Sequence, residues 1–297
     1  MNKLIECVPN FSEGRRQSII NSITDAARAV PGVKVLDCSS DSDHNRSVLT
    51  FVGPPDAVKD AAFACCAKAA SLIDMEQHRG GHPRIGATDV IPFVPVSGAT
   101  MEECVAIAHD LGKEIADRLS IPVYFYEAAA LRSHMRSLPD VRKGEYEGLK
   151  EEIKKTPLRA PDLGPHEMHP TAGATVVGAR PFLVAFNINL DTADVGIAKK
   201  IAQTIRAARG GYVNCRAIGV ESSGKAQVSI NMTDYTATPL HRVFETVKSE
   251  AARWGVNVSG SEIVGLTPMQ ALLDAAAFYL RLEGFSASQV LESMVWE

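Results

Sequence analysis

Apolar residues along the chain alternate between two spacings. Over residues 18–30, Ile19, Ile20, Ile23, Ala26 and Ala27 recur at the helical interval, and Pro31-Gly32 closes the run. The alanine-rich stretch 57–73 and residues 101–119 carry the same signature. Short apolar runs at 3–8, 33–38, 47–52, 90–96 and 123–126, bounded by Pro, Gly, Asn and Ser, predict strands. The order is strand–helix–strand–strand–helix–strand, extended by one more helix and strand. Past residue 179 the series repeats. Val184, Phe186, Ile188 and Leu190 alternate along a strand at 182–190, and a helix at 193–209 ends in Gly210-Gly211. Runs at 213–221 and 226–231 predict an antiparallel pair turned at Ser222-Ser223-Gly224. A helix at 240–254, a strand at 261–264 and a helix at 269–282 complete the repeat. Between the halves, residues 142–155 alternate acids and bases, predicting a solvated helix, and 162–178 has the Gly/Pro/His texture of a loop. The pattern predicts an α+β protein of two ferredoxin-like (βαββαβ) sandwich subdomains, 1–179 and 180–297, with a ligand cleft between them.

Composition narrows the function classes. A net charge of -4 supplies no basic field, so nucleic acid is not an expected partner. No apolar run reaches bilayer length, and the opening M-N-K-L-I-E-C-V-P-N is no secretory leader, so a cytoplasmic protein without membrane contact is expected. Six scattered cysteines without C-x-x-C spacing fit reduced thiols used as small core residues.

One stretch breaks the apolar periodicity. Residues 75–96 read M-E-Q-H-R-G-G-H-P-R-I-G-A-T-D-V-I-P-F-V-P-V, packing histidines, arginines and an aspartate among glycines ahead of a strand. Polar groups this dense are too costly to bury unpaired, and such loops on a rigid scaffold are where chemistry sits. His82, between Gly81 and Pro83, is the candidate for proton transfer, because imidazole titrates near neutrality. Arg79 and Arg84 can grip carboxylates, and Asp89 can fix the imidazole tautomer or hold a cation. A second polar cluster spans 39–46 and includes Asp41, Asp43, His44, Asn45 and Arg46; Asn45 and Arg46 suit a zwitterionic substrate or simply cap the following strand. Asn10, in the turn-rich loop after the first strand, joins the binding candidates.

Other readings are weaker. His78, His82, Asp41, Asp43 and His44 could approach a metal, but no third ligand has a recognisable spacing and no metal is expected. Gly80-Gly81 and Gly86 lack both G-x-G-x-x-G and the Walker lysine. Neither Ser12 nor Cys7 has an adjacent base, and His109 and His134 lie on helical segments.

The blocks L-I-E-C-V-P-N-F-S-E-G, N-R-S-V-L-T-F-V-G, H-R-G-G-H-P-R-I-G-A-T-D-V-I-P-F-V-P-V, G-A-R-P-F-L-V-A-F-N-I-N-L and L-L-D-A-A-A-F-Y resemble the formiminotransferase domain family, in order and over almost the whole chain. The resemblance implies two α/β subdomains with folate in the groove between them, a homodimer, and transfer of a formimino group from N-formimino-L-glutamate to N5 of tetrahydrofolate in histidine degradation. Tetrahydrofolate would be a co-substrate. In animals the domain is the front half of a longer chain with a cyclodeaminase half, an activity not expected here. The family's general base falls on His82. Its folate-contacting segment falls on Gly164, Pro165, His166, Glu167, Met168, His169, Pro170, Thr171, Ala172 and Gly173. Two departures stand out: Ser39 replaces an acid of the animal enzymes, with Asp41 or Asp43 as substitutes, and Ala172 replaces a bulky aromatic.

The chemistry agrees. The formimino donor is a cationic amidinium, which Asp41, Asp43 or Asp89 could stabilise. His82 would take the N5 proton and return one to the departing amine, while Arg46, Arg79 and Arg84 hold carboxylates. Two alternatives remain open: formyl transfer between glutamate and tetrahydrofolate on the same fold, and a folate-binding protein without catalysis.

Overall fold

The computed structural model describes residues 3–296, which divide into two compact units with the boundary between Arg180 and Pro181. The first unit opens with β1 (Leu4–Cys7) and β2 (Asn10–Phe11), two pieces of one broken strand that each pair with the same two neighbours. Then follow α1 (Gln17–Arg28), β3 (Lys34–Asp41), β4 (Arg46–Gly53), α2 (Pro55–Leu72), β5 (Thr88–Ser97), α3 (Met101–Leu119) and β6 (Val123–Glu127). Short helices α4 (Leu138–Val141) and α5 (Glu145–Glu152) precede β7 (Thr175–Ala179). The sheet runs β3, β4, β1/β2, β5, β7, β6; the first four positions are antiparallel, and β7 lies parallel between β5 and β6.

Local sequence explains the helix ends. Pro54-Pro55 opens α2 with a proline in its first turn, and Thr100 with Glu103 forms a reciprocal capping box on α3. The alternating apolar residues of β4 and β5, among them Leu49, Phe51, Ile91 and Phe93, bury against α1, α2 and α3 in one core. Five of the six cysteines are buried, and all six are free.

The second unit contains β8 (Val184–Leu190), α6 (Val195–Ile205), β9 (Cys215–Ser222), β10 (Lys225–Met232), α7 (Leu240–Ala252), β11 (Val258–Val264), α8 (Met269–Leu280) and α9 (Leu291–Trp296). Its antiparallel sheet runs β11, β8, β10, β9. In both units the first strand of the βαββαβ series lies between the third and the fourth. The β9–β10 hairpin turns on Ser223 and Gly224, both at positive φ, the geometry that two-residue hairpin loops favour.

Two expectations need correction. Residues 162–178, read as loop, end in strand β7: Val176 and Val177 are fully buried, which the preceding Gly/Pro/His texture masks. Residues 142–155 are not simply solvated. Tyr146, Leu149 and Ile153 are buried, and the last two join Val90, Tyr124 and Tyr126 in a second core on the face opposite α1–α3. Among the described residues, no helix is long and apolar enough to cross a membrane.

Candidate active site

The loop between α2 and β5, which carries His82, is pinned on two sides. On one, Met75 N donates to Thr171 O (2.8 Å), Ala87 N to Ala172 O (2.8 Å) and Ala174 N to Ile85 O (3.0 Å). Gly86 permits this approach, since a Cβ there would lie 1.9 Å from Ala174 O. On the other side the β3–β4 turn closes in. Gly81 N donates to Asp43 O (3.2 Å) and Asn45 Nδ2 to Arg79 O (3.0 Å), while Asn45 Oδ1 accepts from Gly14 N (2.9 Å). Asn45 holds φ at 49°, a left-handed conformation that asparagine tolerates better than most residues.

Beneath the loop lies a committed polar network. Buried His78 places Nε2 3.0 Å from Asn45 O and accepts from Arg84 Nε at Nδ1 (3.2 Å), so its proton sits on Nε2. Burial is the main cause holding this imidazole below its usual range, with Arg84 adding to it. The Arg84 guanidinium also donates to Glu145 (2.9 Å) and to both oxygens of Glu147 (2.9 and 2.7 Å). Arg84 is therefore a strut tying the loop to α5, with most of its donors engaged.

His82 itself is half-buried. Its Nε2 lies 2.6 Å from Arg46 Nη1, and its ring stands edge-on to His44 with centroids 6.1 Å apart. A guanidinium only donates, so Nε2 is the bare nitrogen and the ring is neutral. Burial, then the charges of Arg46, Arg142 and His44, push its pKa down to about 2, against a hydrogen bond to the Pro83 carbonyl. Arg46 emerges from the start of β4; burial and Arg142 depress its own pKa, opposed by Asp89 and Asp41. Arg142, which the alternating charges of its stretch hid from sequence reasoning, ion-pairs with buried Asp89. The other Asp89 oxygen accepts from Ile85 N (2.9 Å). Arg142 Nε is buried without a partner. Phe11, Ser12 and Asn45 join Arg46, His82 and Asp89 around one narrow recess that leaves no room for a water molecule. Two guanidinium groups and a neutral imidazole thus face one buried carboxylate, an arrangement that favours an incoming anion.

The remaining candidates lie nearby or apart. Asp41 is exposed; one of its oxygens accepts from Asp43 N (2.9 Å) and His44 N (2.8 Å), and the His44 bond is the largest cause keeping its carboxyl below the usual range. Asn10 is paired within β2, its Nδ2 on Val8 O (3.0 Å). Arg79 bonds carbonyls of its own turn, Glu76 O (3.1 Å) and His78 O (2.6 Å). In 164–173, His169 Nδ1 accepts from Ala172 N (3.0 Å) and Thr171 N (3.3 Å), and Gly173 bridges to Gly86. One end of that segment therefore rests on the His82 loop. His166 and Glu167 are exposed, and Glu167 pairs with Lys154 at 2.6 Å. Among the described residues, no group of three or more His, Cys, Asp and Glu is arranged to hold a metal.

Comparison with known proteins follows the two units. The profile of the formiminotransferase domain, N-terminal subdomain, matches residues 4–180, and that of the formiminotransferase domain matches 185–293. A glutamate formimidoyltransferase of Streptococcus pyogenes serotype M1 is 49% identical over 296 residues, 99% of each chain. One of Thermoplasma acidophilum is 50% identical over 293 residues, 97% of this chain and 96% of that one. A formimidoyltransferase-cyclodeaminase of Mus musculus is 46% identical over 94% of this chain, which spans 53% of that protein. The chain belongs to the formiminotransferase domain family. It is a transferase, and the activity its relatives are named for is movement of a formimidoyl group.

Proposed function

We propose that the protein transfers the formimino group of N-formimino-L-glutamate to N5 of tetrahydrofolate, giving 5-formiminotetrahydrofolate and L-glutamate, with His82 carrying the proton. The observation that supports this most is the bare Nε2 of a neutral His82 held beside two guanidinium groups. N5 attacks the amidinium carbon, the new C–N bond forms, and the N5 proton passes to His82 Nε2. The bond to glutamate nitrogen then breaks as His82 returns a proton to the departing amine. The free oxygen of Asp41 is the carboxylate best placed to face the amidinium, since both Asp89 oxygens are engaged.

In the free protein Arg46 occupies the lone pair that the reaction needs. A substrate carboxylate drawn to Arg46 and Arg142 would lift Arg46 off Nε2 and cancel two of the charges that weaken the base. Donor binding thereby switches on the proton acceptor. The segment 164–173, resting on the same loop, is the proposed folate contact, and a homodimer is the proposed assembly.

The test is donor consumption by purified protein with tetrahydrofolate, run on wild type and His82→Ala. Turnover of the variant is expected to fall roughly 10²- to 10⁴-fold, the usual weight of a general acid–base, with folate affinity nearly kept. Unchanged turnover would falsify the proton-transfer assignment. Running N-formylglutamate in parallel reads the donor preference.

A further inference from the structure

Residues 12–16 lead from the His82 recess, which Phe11 and Ser12 line, to the protein surface. The segment is fixed at three points. Ser12 donates through N to Ala87 O (2.9 Å) and through Oγ to Gly86 O (2.7 Å), which staples it to the His82 loop. Gly14 N donates to Asn45 Oδ1, and a Cβ on Gly14 would lie 2.1 Å from Asp41 O and 2.5 Å from Arg46 N, so the segment also abuts the start of β4. Glu13, only 2% exposed, turns its carboxylate back on its own chain. Its Oε1 accepts from Arg15 N and Arg16 N (2.9 Å each), and Oε2 takes the Arg16 guanidinium.

Two neighbouring arginines therefore have opposite fates. Arg16 is neutralised by Glu13, whereas Arg15 is exposed and meets no carboxylate among the described residues. Its Nε donates to Ser42 O in the β3–β4 turn (2.8 Å), which fixes the guanidinium plane and leaves both Nη groups unengaged. Its charge reaches inward: His78, lowered above all by burial, is lowered further by Arg84 and by Arg15. The other arginines around the loop are already committed. Arg84 is held by Glu145 and Glu147 and Arg79 by carbonyls of its own turn, while Arg46 and Arg142 face His82 and Asp89.

N-formimino-L-glutamate carries two carboxylates. Its α-carboxylate adjoins the reacting nitrogen and belongs beside His82, with Arg46 and Arg142. Its γ-carboxylate stands at the far end of the side chain and needs a separate partner. An isolated surface arginine adds little to binding, because solvent screens it and the long side chain must first be ordered. Here the ordering precedes the ligand, and the free edge of the guanidinium offers a carboxylate two parallel N–H donors. We propose that Arg15 is the specificity-determining residue for the γ-carboxylate of the donor, so that residues of the first unit alone grip both carboxylates. The proposal rests on the formimino-donor reading above and adds a residue to it.

The test is steady-state kinetics on the full chain at saturating tetrahydrofolate, with N-formimino-L-glutamate and with N-formimino-L-glutamine, whose side-chain amide is uncharged. Arg15→Met is expected to raise KM for the glutamate donor roughly 10-fold, the low end for a hydrogen bond to a charged group, with kcat kept. The glutamine donor, already weak on wild type, should lose little more. Arg15→Lys keeps the charge without the planar fork and should fall between wild type and Arg15→Met. Melting temperature should stay put in both variants. An unchanged KM for the glutamate donor in Arg15→Met overturns the proposal, and so does a wild type that takes both donors equally well. An equal loss for both donors also overturns it, since that marks a structural role for the segment, as does a loss confined to kcat, which places Arg15 in the chemical step. A wild type that consumes neither donor sinks the formimino reading itself, and this proposal with it.

Discussion

The two units share one run of elements yet furnish their second sheet faces in opposite ways. In the first, Leu49 and Phe51 of β4 turn to the helices, so Arg46 projects from the other face, where His82, Arg142 and Asp89 meet it. In the second, the corresponding face carries carboxamides with Glu262 and Arg216, and its hydrogen bonds run from strand to strand, Asn187 to Glu262 and Gln227 to Asn189 between neighbours and Gln227 to Glu262 across β8. Charges need partners from afar: Arg84 is held by α5 and Asp89 by Arg142, each more than fifty residues on in the chain. Amides are satisfied within the sheet, by the next strand or the one beyond it. One scaffold thus supports a face where charged groups gather and a face dominated by amides, and the charged groups are held by residues far along the chain.

The largest effect that separates the faces is expected at Arg142. Arg142→Met removes one of the two guanidinium groups near His82 and leaves Asp89 without its ion pair. We expect kcat/KM for the formimino donor to fall roughly 100-fold, mostly in KM, as for loss of a charge-assisted carboxylate contact. Asn189→Ala in the second unit should leave the donor KM unchanged. Steady-state kinetics with varied donor decide it, and equal donor KM effects in both variants would erase the functional division.

Stability should divide the same way. Arg84→Met strips His78 and two glutamates of their partner; with Glu145 and Glu147 about half exposed, solvent screening holds the cost to about 1–3 kcal/mol. Glu262→Ala, on an exposed side chain, should stay within about 0.5 kcal/mol. Urea denaturation of the two variants measures both, and an Arg84→Met protein as stable as wild type would show that the strut does not hold the loop.

Most of the order of elements was legible in the sequence, and the failures have physical causes. Helix α3 was read to the residue because its cap and its periodicity agree. The two βαββαβ runs were visible because short apolar runs bounded by turn residues alternate with stretches of helical spacing. The cluster at 39–46 and the loop at 75–96 were both singled out, and the structure brings them into contact through Asn45 and Asp43. Strand β7 was missed because its buried run follows directly on a Gly/Pro/His segment. Arg142 and the engagement of Arg84 were missed for a different reason. An arginine among alternating charges looks solvated, and only chain folding shows that its head lies on Asp89 or that Glu147 reaches Arg84. Pattern reveals which residues are polar, but not which have already spent their hydrogen bonds.

The last predicted effect concerns acid. An imidazole held neutral at a pKa near 2 stays unprotonated in the folded state, while the same ring in the unfolded chain takes up a proton near its ordinary value of about 6.5. Between those values the unfolded state binds more protons, so this contribution to stability is complete above about pH 6.5 and is lost as pH falls. Burial also lowers His78 and His169 in the first unit, whereas the second unit has His241, lowered by burial and by Arg242. Acid should therefore loosen the first unit before the second. His82→Gln removes one of those three imidazoles, so its melting temperature should decline less than that of wild type between about pH 7 and about pH 5. His241→Gln should recover less, because its ring has no second guanidinium crowding it. Melting curves at the two pH values test this. If wild type and His82→Gln decline in parallel, His82 is not held neutral by its surroundings, and the contrast between the two units loses its electrostatic basis.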